Sequence, residues 1–454
     1  MTVPPDPLQL QSKAFEEGAQ RGADYLRTLS GRQVNARTEK RSAFDMPLPH
    51  AGLAASQVLK LLDDAGRDGT MATAAGRYFG YVIGGALPAA SGARAMLSAW
   101  DQVADVLTGP SVLALEKQAL SWVIDLLDLP GETEGVFTTG ASIANMALIA
   151  TARDTLLERA GHPRGRGLIG APKLRIVASA EIHATVLKSL RMTGLGSDCV
   201  ERVAVDSQGR MRAQCMPALD ARTLVLAQAG NVCTGASDPI NDIAELCEQA
   251  GAWLHVDGAF GLWARAVAPL NQTMSGLERA DSWVVDAHKT LNAPYDSGIA
   301  LCRHPEEMRA SMAMGASYLP PTTPSPADLA PEFSRAARGA ETWAALLSLG
   351  RDGLQDLLTR LHRHAARVAR ELKLLGFEVP HDIHFNQVFA TLPGKDEKIA
   401  SIVNHVQASG EAWFAGANWQ GKTGFRISVS NWATCDDDID RLIAAIKRGL
   451  LEAG

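Results

Sequence analysis

Ala252-Trp253-Leu254-His255-Val256-Asp257-Gly258-Ala259 and Ser282-Trp283-Val284-Val285-Asp286-Ala287-His288-Lys289-Thr290 stand about thirty residues apart. Each is a short aromatic and β-branched run that ends in a reactive group. An aspartate closes the first, and a His-Lys pair closes the second. Apolar runs of this length read as strands buried on both faces, as in a parallel sheet. In open α/β sheets, ligands gather beyond the carboxyl ends of such strands. Asp257 and Lys289 are therefore expected to face one crevice. That pairing suits pyridoxal phosphate, an aldehyde cofactor with a basic ring nitrogen. Lys289 can form a Schiff base with the aldehyde, and Asp257 can keep the ring nitrogen protonated. A solvated lysine and a helix-capping aspartate are the bland readings of each residue alone. The pair is more specific than either.

Outward from these strings the same alternation continues. Short apolar runs at Leu174 to Ala178, Thr223 to Ala227 and Ile299 to Cys302 lie among helical patterns such as Ile143 to Arg159 and Ile240 to Ala250. The pattern predicts an α/β fold, a mainly parallel sheet with helices on both faces. Thr138-Thr139-Gly140-Ala141-Ser142 is a glycine-bearing turn entering a helix. Its free N–H groups and the Ser142 hydroxyl suit a phosphate. His183 follows a strand and could stack on the cofactor ring; a helix-start histidine is the plainer reading. Ala259 could lie under the ring. His288 could donate to the phosphate, or serve only as a structural hydrogen-bond partner.

Toward the ends the pattern changes. Leu10 to Leu29 and Leu53 to Ala65 carry helical spacing, joined by a polar, proline-bearing stretch. Gly76 to Pro88 is an aromatic, glycine-rich loop, from which Phe79, Ile83 and Gly84 are candidate substrate contacts. Leu319 to Pro331 holds five prolines and reads as a surface loop or lid. Beyond it, helices near Glu341 to Leu375, Lys398 to Ser409 and from Asp437, with strands at Val388 to Leu392 and Phe425 to Ser430, suggest a small α+β unit. The expected division is an N-terminal helical arm with the substrate loop (1–105), a large cofactor-binding domain (106–350) and a small C-terminal domain (351–454).

The 454 residues suffice for a large core, and 46% hydrophobic with 21% charged residues is ordinary for a globular protein. A net charge of -6 favours neither nucleic acid nor an acidic membrane surface. The six cysteines form no metal-binding spacing, and reduced thiols in a cytoplasm suit them best. No metal, signal peptide or membrane span is expected. A dinucleotide-binding dehydrogenase would need a GxGxxG turn after its first strand, and no glycine string supplies one.

Together, His183, the Asp257-Gly258-Ala259 triplet, His288-Lys289 and the Gly140-Ala141-Ser142 turn resemble the group II pyridoxal-phosphate-dependent decarboxylases, in order and spacing. The resemblance covers roughly Arg77 to Leu442. It implies the aspartate-aminotransferase fold and a homodimer with active sites at the interface, whose N-terminal arms wrap the partner. It also implies removal of the α-carboxylate of an L-amino acid, and Arg426 matches an arginine that can bind a substrate carboxylate. An interdomain salt bridge is the other reading of Arg426.

Three departures stand out. The stretch Leu319 to Arg338 lacks the tyrosine that the family uses as proton donor, and Tyr318 only borders it. Asn231-Val232 replaces a Thr-Thr pair, leaving Asn231 as the candidate contact to the cofactor. Val82-Ile83-Gly84-Gly85 replaces the aromatic-proline-threonine string of the aromatic-specific enzymes. The missing tyrosine motivates alternatives: oxidative decarboxylation-deamination to an aldehyde, aldol-type cleavage, or a non-catalytic cofactor-binding oligomer. An aromatic or other apolar substrate is favoured.

Overall fold

The computed structural model describes residues 6–37, 39, 41–315 and 325–453. Tyr318 and the first part of the proline loop lie outside them. Helices α1 (Pro7–Thr28), α2 (Ala55–Gly69), α3 (Pro88–Trp100) and α4 (Pro110–Leu126) open the chain. Then β1 (Glu134–Thr138), α5 (Ala141–Arg159), β2 (Arg175–Ser179), α6 (Ala184–Met192), β3 (Val200–Val203) and β4 (Thr223–Gln228) begin the sheet. It is completed by α7 (Ile240–Ala250), β5 (Trp253–Asp257), β6 (Ser282–Asp286) and β7 (Gly298–Cys302). Helices α8 (Pro305–Met312) and α9 (Gly339–Leu374) lead to β8 (Gln387–Thr391), α10 (Asp396–Ser409), β9 (Ala415–Trp419), β10 (Lys422–Ser428) and α11 (Asp436–Glu452).

The seven-stranded sheet has the order β1-β7-β6-β5-β4-β2-β3. Its β2, β3, β4, β5 and β6 are parallel, and β7 alone runs against its neighbours β6 and β1. Strands β4, β5, β6 and β7 are buried along their whole length, which explains their continuous apolar runs. One face packs on α5, with Trp253, Val284 and Ala300 in a cluster with Ala144, Ala147 and Leu148. The other face, with Leu254, Val256, Trp283 and Val285, joins a larger core that continues through Leu361 and Val368 of α9 to Val388 and Phe425. A second sheet, β8-β10-β9, is antiparallel.

Helix α9 is one element only nominally. Gly350, at φ 62° and ψ -174°, breaks it in the left-handed region where glycine has no Cβ to clash. All six cysteines are free thiols. Among the described residues no helix is long and apolar enough to cross a membrane, and no group of three His, Cys, Asp or Glu side chains could hold a metal.

Candidate active site

The strand register sets the site. Gln228 pairs with Asp257, Asp257 with Val284, and Asp286 with Gly298, which in turn pairs with Thr138. The carboxyl ends of β1, β4, β5 and β6 thus lie side by side. The segments leaving them enclose a cavity of about 500 Å³ lined by Gly140, Ala141, Ser142, His183, Asp257, Ala259, His288, Lys289 and Arg426. Those residues, noted in the sequence on separate grounds, are brought together. The cavity also takes in Tyr81, Val82, Gln228, Val232, Phe260, Asp286 and Tyr295.

Lys289 Nζ lies 3.0 Å from Asp286 Oδ2. The other oxygen of Asp286 accepts the Ala141 N–H, at the start of α5, at 2.7 Å. Asp286 is thus the counter-ion of Lys289 and a tether of the glycine turn. The sequence reading quoted it without giving it a role. Its position three residues before Lys289, at a strand end, was the available signal. His288 Nδ1 accepts the Ser297 N–H at 3.0 Å, so its proton sits on Nε2, 3.7 Å from Asp286 Oδ2. Burial lowers the basicity of His288, with Asp286 acting in opposition. The Tyr295 ring packs against His288 at a tilt of 33° with centroids 4.1 Å apart, and burial pushes its phenol pKa up, keeping it protonated.

Asp257 accepts the Ala259 N–H at 3.1 Å on Oδ1 and the Asn145 amide at 3.3 Å on Oδ2. His183 caps α6, its Nδ1 2.6 Å from Thr185 Oγ1 and accepting the Thr185 N–H at 3.3 Å. The helix-start role and the cavity position therefore coexist, leaving Nε2 to face the cavity. Desolvation lowers the basicity of His183, and Asp257 opposes that shift. Arg426 donates to the Val232 carbonyl at 2.9 Å from within the cavity wall.

Four expected contacts are not brought to the cavity. Asn231 is buried and fully engaged: its amide donates to Glu181 at 2.7 Å, and its carbonyl accepts the Cys233 and Thr234 N–H groups. Neighbouring Val232 takes the wall position. Phe79 is fully buried in the core, and Ile83 is absent from the lining. Gly84 backs onto the main chain, where a Cβ would fall 2.4 Å from the Lys289 carbonyl oxygen. Tyr81 and Val82, at φ 52° and 59°, turn into the cavity instead. A second cavity of about 490 Å³, beside α4 and β1, is bordered by the buried Glu116–Arg335 ion pair and holds none of these groups.

The donor set fits pyridoxal phosphate. One amine (Lys289), one carboxylate with both oxygens already oriented by N–H donors (Asp257), a flat flank at Ala259 and an open imidazole at His183 face the same space. The same lining includes Ser142, with its hydroxyl, and His288, with its Nε2–H, both donors suited to a phosphate.

Comparison with known proteins agrees. The model of the pyridoxal-dependent decarboxylase conserved domain matches residues 86–391. An L-2,4-diaminobutyrate decarboxylase of Rhizobium meliloti (strain 1021) is 29% identical over 381 residues, covering 77% of this chain and 71% of that protein. An aromatic-L-amino-acid decarboxylase of Bacillus atrophaeus is 27% identical over 238 residues, covering 51% of this chain and 46% of that protein. The crystal structure of Oryza sativa TDC with PLP and tryptamine superposes with a TM-score of 0.91 at 20% identity, covering 100% of this chain and 99% of that one. These relatives do not favour the aldehyde-forming, aldol-type or non-catalytic alternatives. The chain belongs to the pyridoxal-dependent decarboxylase family and is a pyridoxal-phosphate-dependent amino-acid carboxy-lyase of α/β fold.

Proposed function

We propose that the cavity at the strand ends removes the α-carboxylate of an L-amino acid with an aromatic or other apolar side chain. The observation that carries this is that Asp257, at the end of β5, and Lys289, three residues past the end of the adjacent parallel strand β6, face one cavity. When bound, pyridoxal phosphate supplies an electron sink that lets the pair of a bond to the α-carbon spread into a protonated ring. Asp257 would hold a proton at the ring nitrogen, and Lys289 Nζ is the amine in the lining that would hold the aldehyde end. Asp286 Oδ2, 3.0 Å from Lys289 Nζ, is placed to accept the proton an ammonium must lose before it becomes a nucleophile. The Gly140-Ala141-Ser142 turn and His288 would hold the phosphate, His183 and Ala259 would flank the ring, and Arg426 would pair with a substrate carboxylate.

Tyr81, Val82, Val232, Phe260 and Tyr295 form the less polar wall, which supports the substrate class. The named substrates of the relatives are varied: a diamino acid in one, aromatic amino acids in another. The wall residues therefore carry the choice. We further read the chain as three domains (1–105, 106–350 and 351–454), the last boundary lying at the Gly350 break in α9. A cytoplasmic homodimer completes the reading, supported by six free thiols and by an N-terminal arm with little core of its own.

The test is product analysis of the purified, cofactor-loaded protein against the common L-amino acids, with carbon dioxide and dissolved oxygen followed together. Carbon dioxide and the matching amine, without oxygen uptake, are expected from aromatic or aliphatic substrates. Turnover confined to acidic or diamino substrates would overturn the substrate class. Oxygen uptake with aldehyde would overturn the simple decarboxylation.

A further inference from the structure

Behind Asp257, away from the cavity, runs a chain of buried polar groups in an otherwise apolar layer. Trp253 Nε1 lies 3.0 Å from Ser282 Oγ, and Ser282 Oγ lies 2.9 Å from His255 Nδ1. His255 Nε2 lies 2.8 Å from Asn145 Oδ1, and Asn145 Nδ2 lies 3.3 Å from Asp257 Oδ2. Trp253, Ser282, His255 and Asn145 are completely buried, and none lines the cavity. They come from three elements, β5, β6 and α5.

Donor and acceptor chemistry fixes the direction of the whole chain. Asn145 turns Nδ2 to Asp257 and Oδ1 to His255 Nε2. An amide oxygen can only accept, so the His255 proton sits on Nε2. Burial drives the His255 pKa down to about 3, so the ring is neutral and carries that single N–H. Nδ1 is left to accept, so Ser282 Oγ donates its hydrogen there while accepting from the Trp253 indole N–H, which can only donate. Were the amide reversed, a carbonyl oxygen would face the carboxylate, and His255 Nε2–H would face another donor. Both errors would lie in a dry interior, where a mispaired polar group is expensive.

We propose that this Trp253–Ser282–His255–Asn145 relay positions the Asp257 carboxylate toward the cofactor, with His255 as its central positioning residue. The inference rests on the reading of Asp257 as the partner of the ring nitrogen. Asp257 enters the cavity at the end of β5, where two rotatable bonds would let a lone carboxylate swing. The Ala259 N–H restrains one oxygen from the cavity side. The relay restrains the other from behind, so the carboxylate keeps one heading whether or not the ring is present. Groups that orient a ligand from behind commonly change its affinity by roughly tenfold or more.

The experiment uses the full-length protein stripped of cofactor and titrated with pyridoxal phosphate. Affinity is followed together with the near-ultraviolet and visible bands of the bound cofactor. His255→Phe keeps the volume filled but breaks the relay in the middle, and Ser282→Ala removes the hydroxyl that donates to His255 Nδ1. Both are expected to weaken pyridoxal phosphate binding, by roughly tenfold and threefold respectively, and to change the proportions of the absorption bands. kcat should fall more than KM rises. Asp257→Ala serves as the reference and should give the largest change in both readouts. If Asp257→Ala binds and absorbs like the parent, the reading of Asp257 fails and the relay with it. If Asp257→Ala changes both readouts while His255→Phe and Ser282→Ala match the parent, the relay alone is overturned and these side chains are only core. Should His255→Phe fail to fold, Ser282→Ala decides by the same readouts.

Discussion

Lys289 is held by a single carboxylate, Asp286, at 3.0 Å, inside a wall that also presents Asp257 and two imidazoles of lowered basicity. Among the described residues no other lysine lines the cavity. Lys289→Ala is therefore expected to fold and to lose turnover by about a thousandfold or more, about 4 kcal/mol of barrier. Steady-state rates on the best substrate check this, and a variant within tenfold of the parent would sink the assignment. His255 makes a prediction about stability. Its ordinary pKa of 6.5 drops to about 3 on folding because burial disfavours the charged ring. Between those values the unfolded chain binds a proton that the folded chain does not. Stability from this group is complete above 6.5 and declines as the pH falls toward 3. From pH 7 to pH 5 it should cost about 2 kcal/mol. Urea unfolding of His255→Phe should show a correspondingly shallower loss over that interval. An identical loss in both proteins would refute the account. His364, His381 and His384 shift in the same direction through burial, so both proteins keep a common acid-sensitive slope.

At the scale of elements, the site depends on how closely β7 passes the glycine turn before α5. Gly298 lies in register between Thr138 and Asp286, and a Cβ built on it would fall 2.4 Å from Gly140 Cα. Both groups are backbone, so neither can yield as a flexible side chain would. Gly298→Ala is expected to push the turn off β7 and loosen the Ala141 N–H to Asp286 contact. Pyridoxal phosphate affinity should fall by at least about tenfold, with a smaller effect on thermal unfolding. Parent-like affinity in that variant would mean the turn is not the phosphate cradle. The elements that were legible in the sequence share one physical property. Strands β4, β5, β6 and β7 are buried on both faces, so their composition alone announces them. The edge strand β3, Val200-Glu201-Arg202-Val203, is half exposed, and β9, Ala415 to Trp419, carries no β-branched residue. Neither gives a periodic signal, and both were missed, as was β1, whose first two residues are only half-buried. Site residues divide similarly. Lys289, Asp257 and His288 sit at or just past strand ends, where register dictates direction. Phe79, Ile83 and Gly84 were placed by analogy on a loop. There, successive left-handed residues at Tyr81 and Val82 invert which side chains face inward. Asn231 turns from the cavity for another reason: its buried amide oxygen caps the turn, accepting the Cys233 and Thr234 N–H groups.

The arm poses its question at the scale of the whole molecule. Helix α1 is 22 residues long and buries none of its side chains within this chain. It contacts α2, to which Arg21 and Asp63 tie it at 3.0 Å. Leu8, Leu10, Phe15 and Leu26 of α1 and Val58 and Leu62 of α2 remain exposed, as do Phe44, Met46 and Leu48 between them. A helical hairpin in water gains most of its stability from burying an apolar face, and ion pairs at its surface contribute little. So much exposed apolar area on one projecting element marks an association surface rather than scattered chance. A second copy of the chain is the partner that the proposed homodimer supplies, with each arm laid over the other subunit. Sedimentation at micromolar concentration should then give a particle of two chains. Introducing charge on the arm by Phe15→Glu with Leu62→Glu should shift it toward one chain. Because neither residue lines the cavity, lost activity in that variant would come from lost association, and raising the protein concentration should restore part of it. A parent protein that sediments as one chain, or a doubly charged arm that leaves the dimer intact, would show that the arm covers something other than its own twin.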